Sequence, residues 1–219
     1  MKQKQHWAKY GLEFLTVLIG ILIAFQLNEY ATNRKQQKTL QNHFKYITEE
    51  TQRNDNSLDR AIANSNGSLS VVDTLISLVQ NDGNIERING LAFRALNFEG
   101  AYIQKNAYLT LTESGDIRFL NDFELKSKTV LLYEFYEWMA SIEQIGFVAM
   151  SEDYYPYMKE HFDMVNATVQ DRELYFTKKF ANALALYRYA LIERLKKYKE
   201  CKEQIRQYLE VLKNHTDNL

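Results

Sequence analysis

Proline occurs once in the 219 residues, at position 156, cysteine once, at 201, and glycine only eight times. So few breakers exclude architectures built from many short strands and tight turns. With Leu, Lys, Glu, Gln, Ala and Tyr abundant, the composition calls for long helices, and the fold class expected is all-α. A single Cys excludes an intramolecular disulfide framework, and its place inside a helical pattern reads as a packed or solvated thiol. Net charge is also nearly absent, at −1. No global field draws the chain to a polyanion and no nucleic-acid module is discernible, so nucleic acid is excluded as a partner.

The chemistry of catalysis is equally sparse. His6, His43, His161 and His215 are far apart, and none falls in an HExxH or a paired Cys/His arrangement, so no metal ligands are assigned. There is no phosphate-binding Gly loop and no nucleophile elbow, and carboxylate pairs such as Glu49-Glu50 sit in ordinary helical surface pattern. The turn Asn81-Asp82-Gly83-Asn84 fails as a calcium loop, because Arg87 stands where Gly is needed and the bidentate Glu is missing. No catalytic residue and no cofactor is assigned, and the chain reads as a non-enzyme.

What is present is one long apolar run, GLEFLTVLIGILIAFQLN, residues 11–28, with Glu13 as its sole charge. About 17 residues at ~1.5 Å rise give ~26 Å, close to the thickness of a hydrocarbon core. A cleaved signal needs small residues at −1 and −3; a cut after Ala31 puts Glu29 at −3 and a cut after Ala24 puts Leu22 there. The run is therefore read as an uncleaved signal anchor. Lys2, Lys4 and Lys9 precede it and Arg34, Lys35 and Lys38 follow, a weak bias in which the short tail dominates. The organisation expected is a cytoplasmic tail (1–10), a transmembrane anchor (11–28) and a helical periplasmic domain (29–219), in a bacterial inner membrane.

Within the span, Glu13, Thr16, Gly20, Ala24 and Asn28 recur at spacings of 3 and 4 and form one stripe of small or polar residues. Small residues let helix backbones approach in lipid, which makes the stripe a candidate interface with a second copy or a partner membrane protein. Gly, Ala and Thr also align by chance in spans. Glu13 lies one turn inside the boundary, where it can be protonated, pair with Lys9 or snorkel to water. The alternative is an ion-pathway carboxylate in an ion-driven or transport complex.

Glu13, then Gly20 followed by Ile-Leu-Ile-Ala-Phe-Gln-Leu-Asn (21–28), resembles the amino-terminal signature of an uncharacterised family of single-pass membrane proteins common in Bacteroidota. Tyr108, Leu111, Ser114 and Gly115, continuing to Asn121 and Leu125, are similar to that family's Tyr-x-x-Leu-x-x-Ser-Gly block. The resemblance implies a helical extracytoplasmic domain on an anchor, and no established activity. Leu12, where the family has Gly, and Glu29-Tyr30, where it has Asn-Trp, depart from the pattern while keeping an aromatic at the exit interface.

Beyond the span no Gly or Pro interrupts the chain from Ile21 to Asn66, and Leu40, Phe44, Ile47, Thr51, Asn54, Leu58 and Ile62 recur at spacings of 3 and 4. One helix reaching ~70 Å from the inner membrane face is expected, as a bundle strip or an oligomeric stalk. Asn66-Gly67-Ser68 should close it and cap a second helix carrying Leu69, Val72, Ile76 and Val79. Further helices are expected over 88–98 and 101–113, the latter ended by Ser114-Gly115 with Gly as a left-handed cap.

From 121 to 150 the expected core seam is Leu131, Phe135, Trp138, Ile142, Ile145 and Ala149, broadened by Tyr133, Tyr136 and Phe147; an aromatic ligand pocket is the alternative. Pro156 should break or kink the chain. A last helix, 171–213, carries Phe180, Leu184, Tyr187, Leu191, Leu195, Tyr198 and Ile205. Its opposite face pairs Glu193 with Lys197 and Lys199 with Glu203. The Lys/Arg run from Arg194 to Lys202 reads as solvated. The function expected is a scaffold, sensor or accessory subunit, with membrane lipid and a like or unlike membrane protein as partners; a bundle enzyme with a buried polar site is a third reading.

Overall fold

Helix α1 begins at Lys2 and ends only at Gln80, a run of 79 residues. The computed structural model describes the backbone of residues 2–169 and 171–217 and the side chains of residues 10, 12–169 and 171–215. The charges at Lys2, Lys4 and Lys9 on which the expected topology rests lie outside the described side chains. The rest is α2 (Ile85–Arg94), α3 (Asn106–Glu113), α4 (Phe123–Ala149), α5 (Tyr155–His161) and α6 (Lys178–Asp217). Two 3-10 turns (Asp116–Phe119, Arg172–Phe176), one π turn (Met150–Tyr154) and a small antiparallel hairpin, β1 (Phe162–Asp163) with β2 (Thr168–Val169), complete it. The chain is all-α, as expected.

The break expected at Asn66-Gly67-Ser68 does not occur. The seam simply continues: after Leu58 it passes through Ala61, Ser65, Val72 and Leu75, all buried, with Ala61 rather than Ile62 at the seam position. Gly67 faces outward, and a Cβ there would meet nothing within 4 Å. A helical Gly costs about 1 kcal/mol relative to Ala, whereas a fully buried Val or Leu contributes about 1.5–3 kcal/mol, so packing overrides the local signal. The helix stops instead at a Schellman turn: Asp82 takes φ 48° and Gly83 N–H reaches back to the Leu78 carbonyl at 2.8 Å.

The chain forms two compact units, residues 1–47 with 107–121, and residues 48–106 with 122–219, and α1 contributes to both. In the first, Leu40, Phe44 and Ile47 of α1 are buried, as are Leu111 and Leu120. In the second, the α1 segment lies parallel to α4, with Glu50 on Tyr133, and antiparallel to α6, with Lys202 on Asp55 and Asp59 and Arg188 on Asp73. Beside Val72 and Leu75, the π turn, α5, β1, the second 3-10 turn and α6 assemble an aromatic plug from Tyr154, Tyr157, Phe162, Tyr175, Phe180 and Tyr187. Pro156 does not end its helix. The preceding turn widens so that Tyr155 N–H bonds the Met150 carbonyl, and the proline falls in the first turn of α5, where its missing donor is tolerated. The chain turns away at Phe162.

Two expectations fail on packing. Helix α4 buries Leu125, Thr129, Leu132, Tyr133, Tyr136, Met139 and Gly146, a 4-3 seam displaced from the expected one. Leu131, Trp138 and Ile145 are 50%, 48% and 64% exposed. Tyr133 and Tyr136, which the expected seam included, are buried beside Leu125, Leu132 and Met139, and the Tyr133 hydroxyl finds the Glu50 carboxylate. Residues 97–105, expected to be mostly helical, form an extended strap. The seam expected for α6 is buried in full, joined by Arg194, Cys201, Tyr208 and Leu212.

Gly67→Ala should raise stability by about 1 kcal/mol, measured by denaturant unfolding in mild detergent. Gly83→Ala should lower it, because its Cβ would lie 2.7 Å from Leu78 Cδ2. Equal effects of the two substitutions would contradict the assigned backbone.

Candidate functional site

The apolar run is the most distinctive surface of the chain. The large apolar side chains at Tyr10, Leu12, Phe14, Leu15, Val17, Leu18, Ile19, Ile21, Leu22, Ile23, Phe25, Leu27 and Tyr30 are all exposed. The helix is long and apolar enough to cross a membrane, with mean hydropathy 1.6 over its best window. Thr16 turns its hydroxyl back to the Leu12 carbonyl at 2.9 Å, which satisfies that donor within the helix as a hydrocarbon environment demands. A Cβ on Gly20 would meet nothing, and Ala24 and Asn28 are exposed on the same stripe. Glu13 is exposed on it too.

The second expected motif is a turn that aims a carboxylate. Leu111 is buried and Tyr108 half-buried on α3, while Gly115 takes φ 75°, the left-handed cap expected of it. The Ser114 hydroxyl donates to the Leu111 carbonyl at 3.2 Å and accepts Asp116 N–H at 3.3 Å. This places the Asp116 carboxylate 3.0 Å from His43 Nε2 on α1. The His43 hydrogen bond is the main reason that the Asp116 carboxyl lies below its ordinary value. The sequence marked Tyr108, Leu111, Ser114 and Gly115 but not Asp116, the residue those four present.

In the second unit, the side chains of α1 and α4 hold the strap much as a neighbouring strand would. Asn54 donates to the Gln104 carbonyl and accepts Gln104 N–H, both at 2.8 Å, and Ser57 accepts Tyr102 N–H at 3.1 Å. Glu143 accepts Ala101 N–H at 2.8 Å and the Tyr198 hydroxyl. One layer away, the Tyr133 hydroxyl donates to the buried Glu50 carboxylate at 2.6 Å, and Thr129 reaches Tyr208 at 3.3 Å. Burial and the Glu50 charge hold the Tyr133 hydroxyl well above its ordinary value, so it donates and does not ionise. These groups answer one another's hydrogen-bonding demand and tie an irregular segment to helices.

The remaining polar candidates are similarly engaged. His215 Nδ1 lies 2.8 Å from Asp122, the N-cap of α4, whose other oxygen accepts Leu125 N–H. Among the described residues, no three His, Cys, Asp or Glu side chains converge as a metal site requires. Cys201 is buried, and desolvation pushes its thiol up to about 12, so it is protonated and unreactive in the native state.

The Lys/Arg run divides. Lys196 and Lys199 are exposed, Lys197 pairs with Glu200 and lies 3.9 Å from the Trp138 ring centroid, and Arg206, not Lys199, pairs with Glu203. Arg194 is 1% exposed, contrary to the solvated face expected.

Tyr133→Phe should cost about 1 kcal/mol, since it removes a hydrogen bond that the buried Glu50 carboxylate accepts, with urea unfolding as the check. Leu125 N–H chiefly, and His215 as well, hold the Asp122 carboxyl below its ordinary value. Asp122 therefore stabilises the fold above about pH 4, and that contribution is lost as pH falls further through its folded value. Asp122→Ala should cost about 1 kcal/mol at pH 7 and much less at pH 3, read from unfolding midpoints at the two pH values. No family model, no curated protein and no solved structure matches this chain.

Proposed function

We propose that the chain is a non-enzymatic, single-pass module of a bacterial inner membrane, with its amino terminus in the cytoplasm and its helical bundle in the periplasm. It acts as a scaffold, sensor or accessory subunit through protein contacts of its span and its bundle. The observation that carries the reading is the exposed apolar helix, residues 12–30, which no part of the described chain covers. In water such a surface costs about 25 cal/mol per Å², and in hydrocarbon the penalty vanishes. The polar groups inside the bundle hold one another and the strap together, which fits a structural platform better than a reaction centre.

Two surfaces are offered to partners under this reading. One is the stripe Glu13, Thr16, Gly20, Ala24 and Asn28, where a second copy or another membrane helix can approach closely. The other is the outer face of α4, where Leu131, Trp138 and Ile145 recur every seven residues and are about half exposed or more. Both present apolar or small side chains at helical spacing, the pattern that suits helix-to-helix docking.

Because Cys201 is buried, single cysteines added to the span act as clean reporters. Gly20→Cys and Ala24→Cys should form disulfide-linked adducts in native membranes on mild oxidation, and Leu22→Cys, about 200° around the helix from Gly20, should not. Equal cross-linking at all three, or none at any, would contradict the stripe as an interface.

A further inference from the structure

Arg194 carries a deeply buried charge without a counterpart. Its side chain is 1% exposed, and Nε, Nη1 and Nη2 have no hydrogen-bond acceptor among the described residues. A guanidinium stays ionised in any folded protein, so protonation cannot relieve the burial as it would for Lys or His. The Phe98 ring covers one face of the group at 4.3 Å, and the Tyr198 ring centroid lies 6.0 Å away. Stacking on an aromatic satisfies the face of the cation and leaves its in-plane N–H donors unused. The carboxylate nearest in role is Glu143, but its Oε1 is engaged by Ala101 N–H and by the hydroxyl of Tyr198, one turn along α6 from Arg194.

What lies over Arg194 is the strap. Phe98 belongs to a segment without a helical hydrogen-bond ladder, held by side-chain bonds from Asn54, Ser57, Glu143, Tyr187 and Tyr198. Its outer residues Asn97, Glu99, Gly100 and Tyr102 are exposed. A segment of that kind opens locally at far lower cost than a packed helix. Gly100 lets the strap close tightly, since a Cβ there would lie 3.0 Å from Glu143 Oε1.

We propose that Arg194 is the seat of a small oxyanion, a carboxylate or a phosphate, admitted when the Phe98 strap lifts. The planar fork of the guanidinium matches two oxygens of such a group, which a halide cannot offer. The ligand supplies the missing acceptor, and the strap recloses with Phe98 on the guanidinium face. The site is independent of the membrane reading.

The test uses the full chain in mild detergent, with acetate and inorganic phosphate titrated against chloride at constant ionic strength. Thermal unfolding and hydrogen exchange over residues 97–102 are the readouts. In the wild type, at least one oxyanion should raise Tm in a saturable way and slow exchange in the strap, while chloride does neither. Arg194→Lys, which keeps the charge and loses the fork, should weaken the apparent affinity at least tenfold. Arg194→Met should abolish the response. Phe98→Ala, which leaves Arg194 in place, should retain the Tm response while strap exchange quickens, and it keeps the test open if Arg194→Met does not fold. A wild type indifferent to both oxyanions overturns the proposal, as does an Arg194→Lys response equal to wild type. So does a response that appears only in Glu143→Gln, because Arg194 would then be paired with Glu143 in solution.

Discussion

One face of α1 sets the terms for everything in the second unit. Between Glu50 and Leu75 it presents Thr51, Asn54, Ser57, Leu58, Ala61, Ser65, Val72 and Leu75 in a single buried line. The line is mostly polar or small from Thr51 to Ser65, and its far end, Val72 and Leu75, is apolar. Buried polar groups seek partners, and here the backbone of the strap answers Asn54 and Ser57 while the Tyr133 hydroxyl of α4 answers Glu50. The apolar end takes no hydrogen bonds and is covered by an aromatic plug. The division of the bundle into a hydrogen-bonded end and an aromatic end follows from the order of residues on one helix.

That arrangement explains why α4 is turned from the orientation its apolar residues suggest. Tyr133 has a carboxylate to reach, and Thr129 has Tyr208. With those contacts made, Leu131, Trp138 and Ile145 are left facing outward. A stripe every seventh residue on the outside of a bundle costs solubility unless something covers it. This is the physical link between the interior polar network and the exposed apolar stripe: the former fixes the rotation of α4 that creates the latter.

How much of this could be read from the residues depends on which residues fill the core. The buried seam of α6 was legible because Phe180, Leu184, Leu191 and Ile205 repeat at helical spacing, but residues 172–176, expected as its start, form a 3-10 turn. The seam of α1 was legible as far as Leu58, and its continuation was hidden by Gly67, whose local cost is small against the burial of Val72 and Leu75. For α4 the expected seam was right at Tyr133 and Tyr136 but centred on Leu131, Trp138 and Ile145, whereas Leu125, Thr129, Leu132, Met139 and Gly146 are the residues buried beside the two tyrosines. The strap was invisible, since its backbone is satisfied by Asn54, Ser57 and Glu143, which are distant in sequence. The apolar span and the left-handed Gly115 were plain from the sequence. Arg194 was not: within a run of Lys and Arg nothing distinguishes the one guanidinium that turns inward except its place, four residues before Tyr198 and three after Leu191, on the buried side of the seam.

The account rests on the exposed apolar helix lying in lipid. Its most direct test is the accessibility of single cysteines along α1 to a membrane-impermeant thiol reagent, in spheroplasts of cells expressing the full chain, with the buried Cys201 silent. A cysteine at Thr32 should label from outside. One at Ile19 should label only after the membrane is dissolved. Labelling of both positions in intact spheroplasts would contradict the account, because it would place the apolar helix in water.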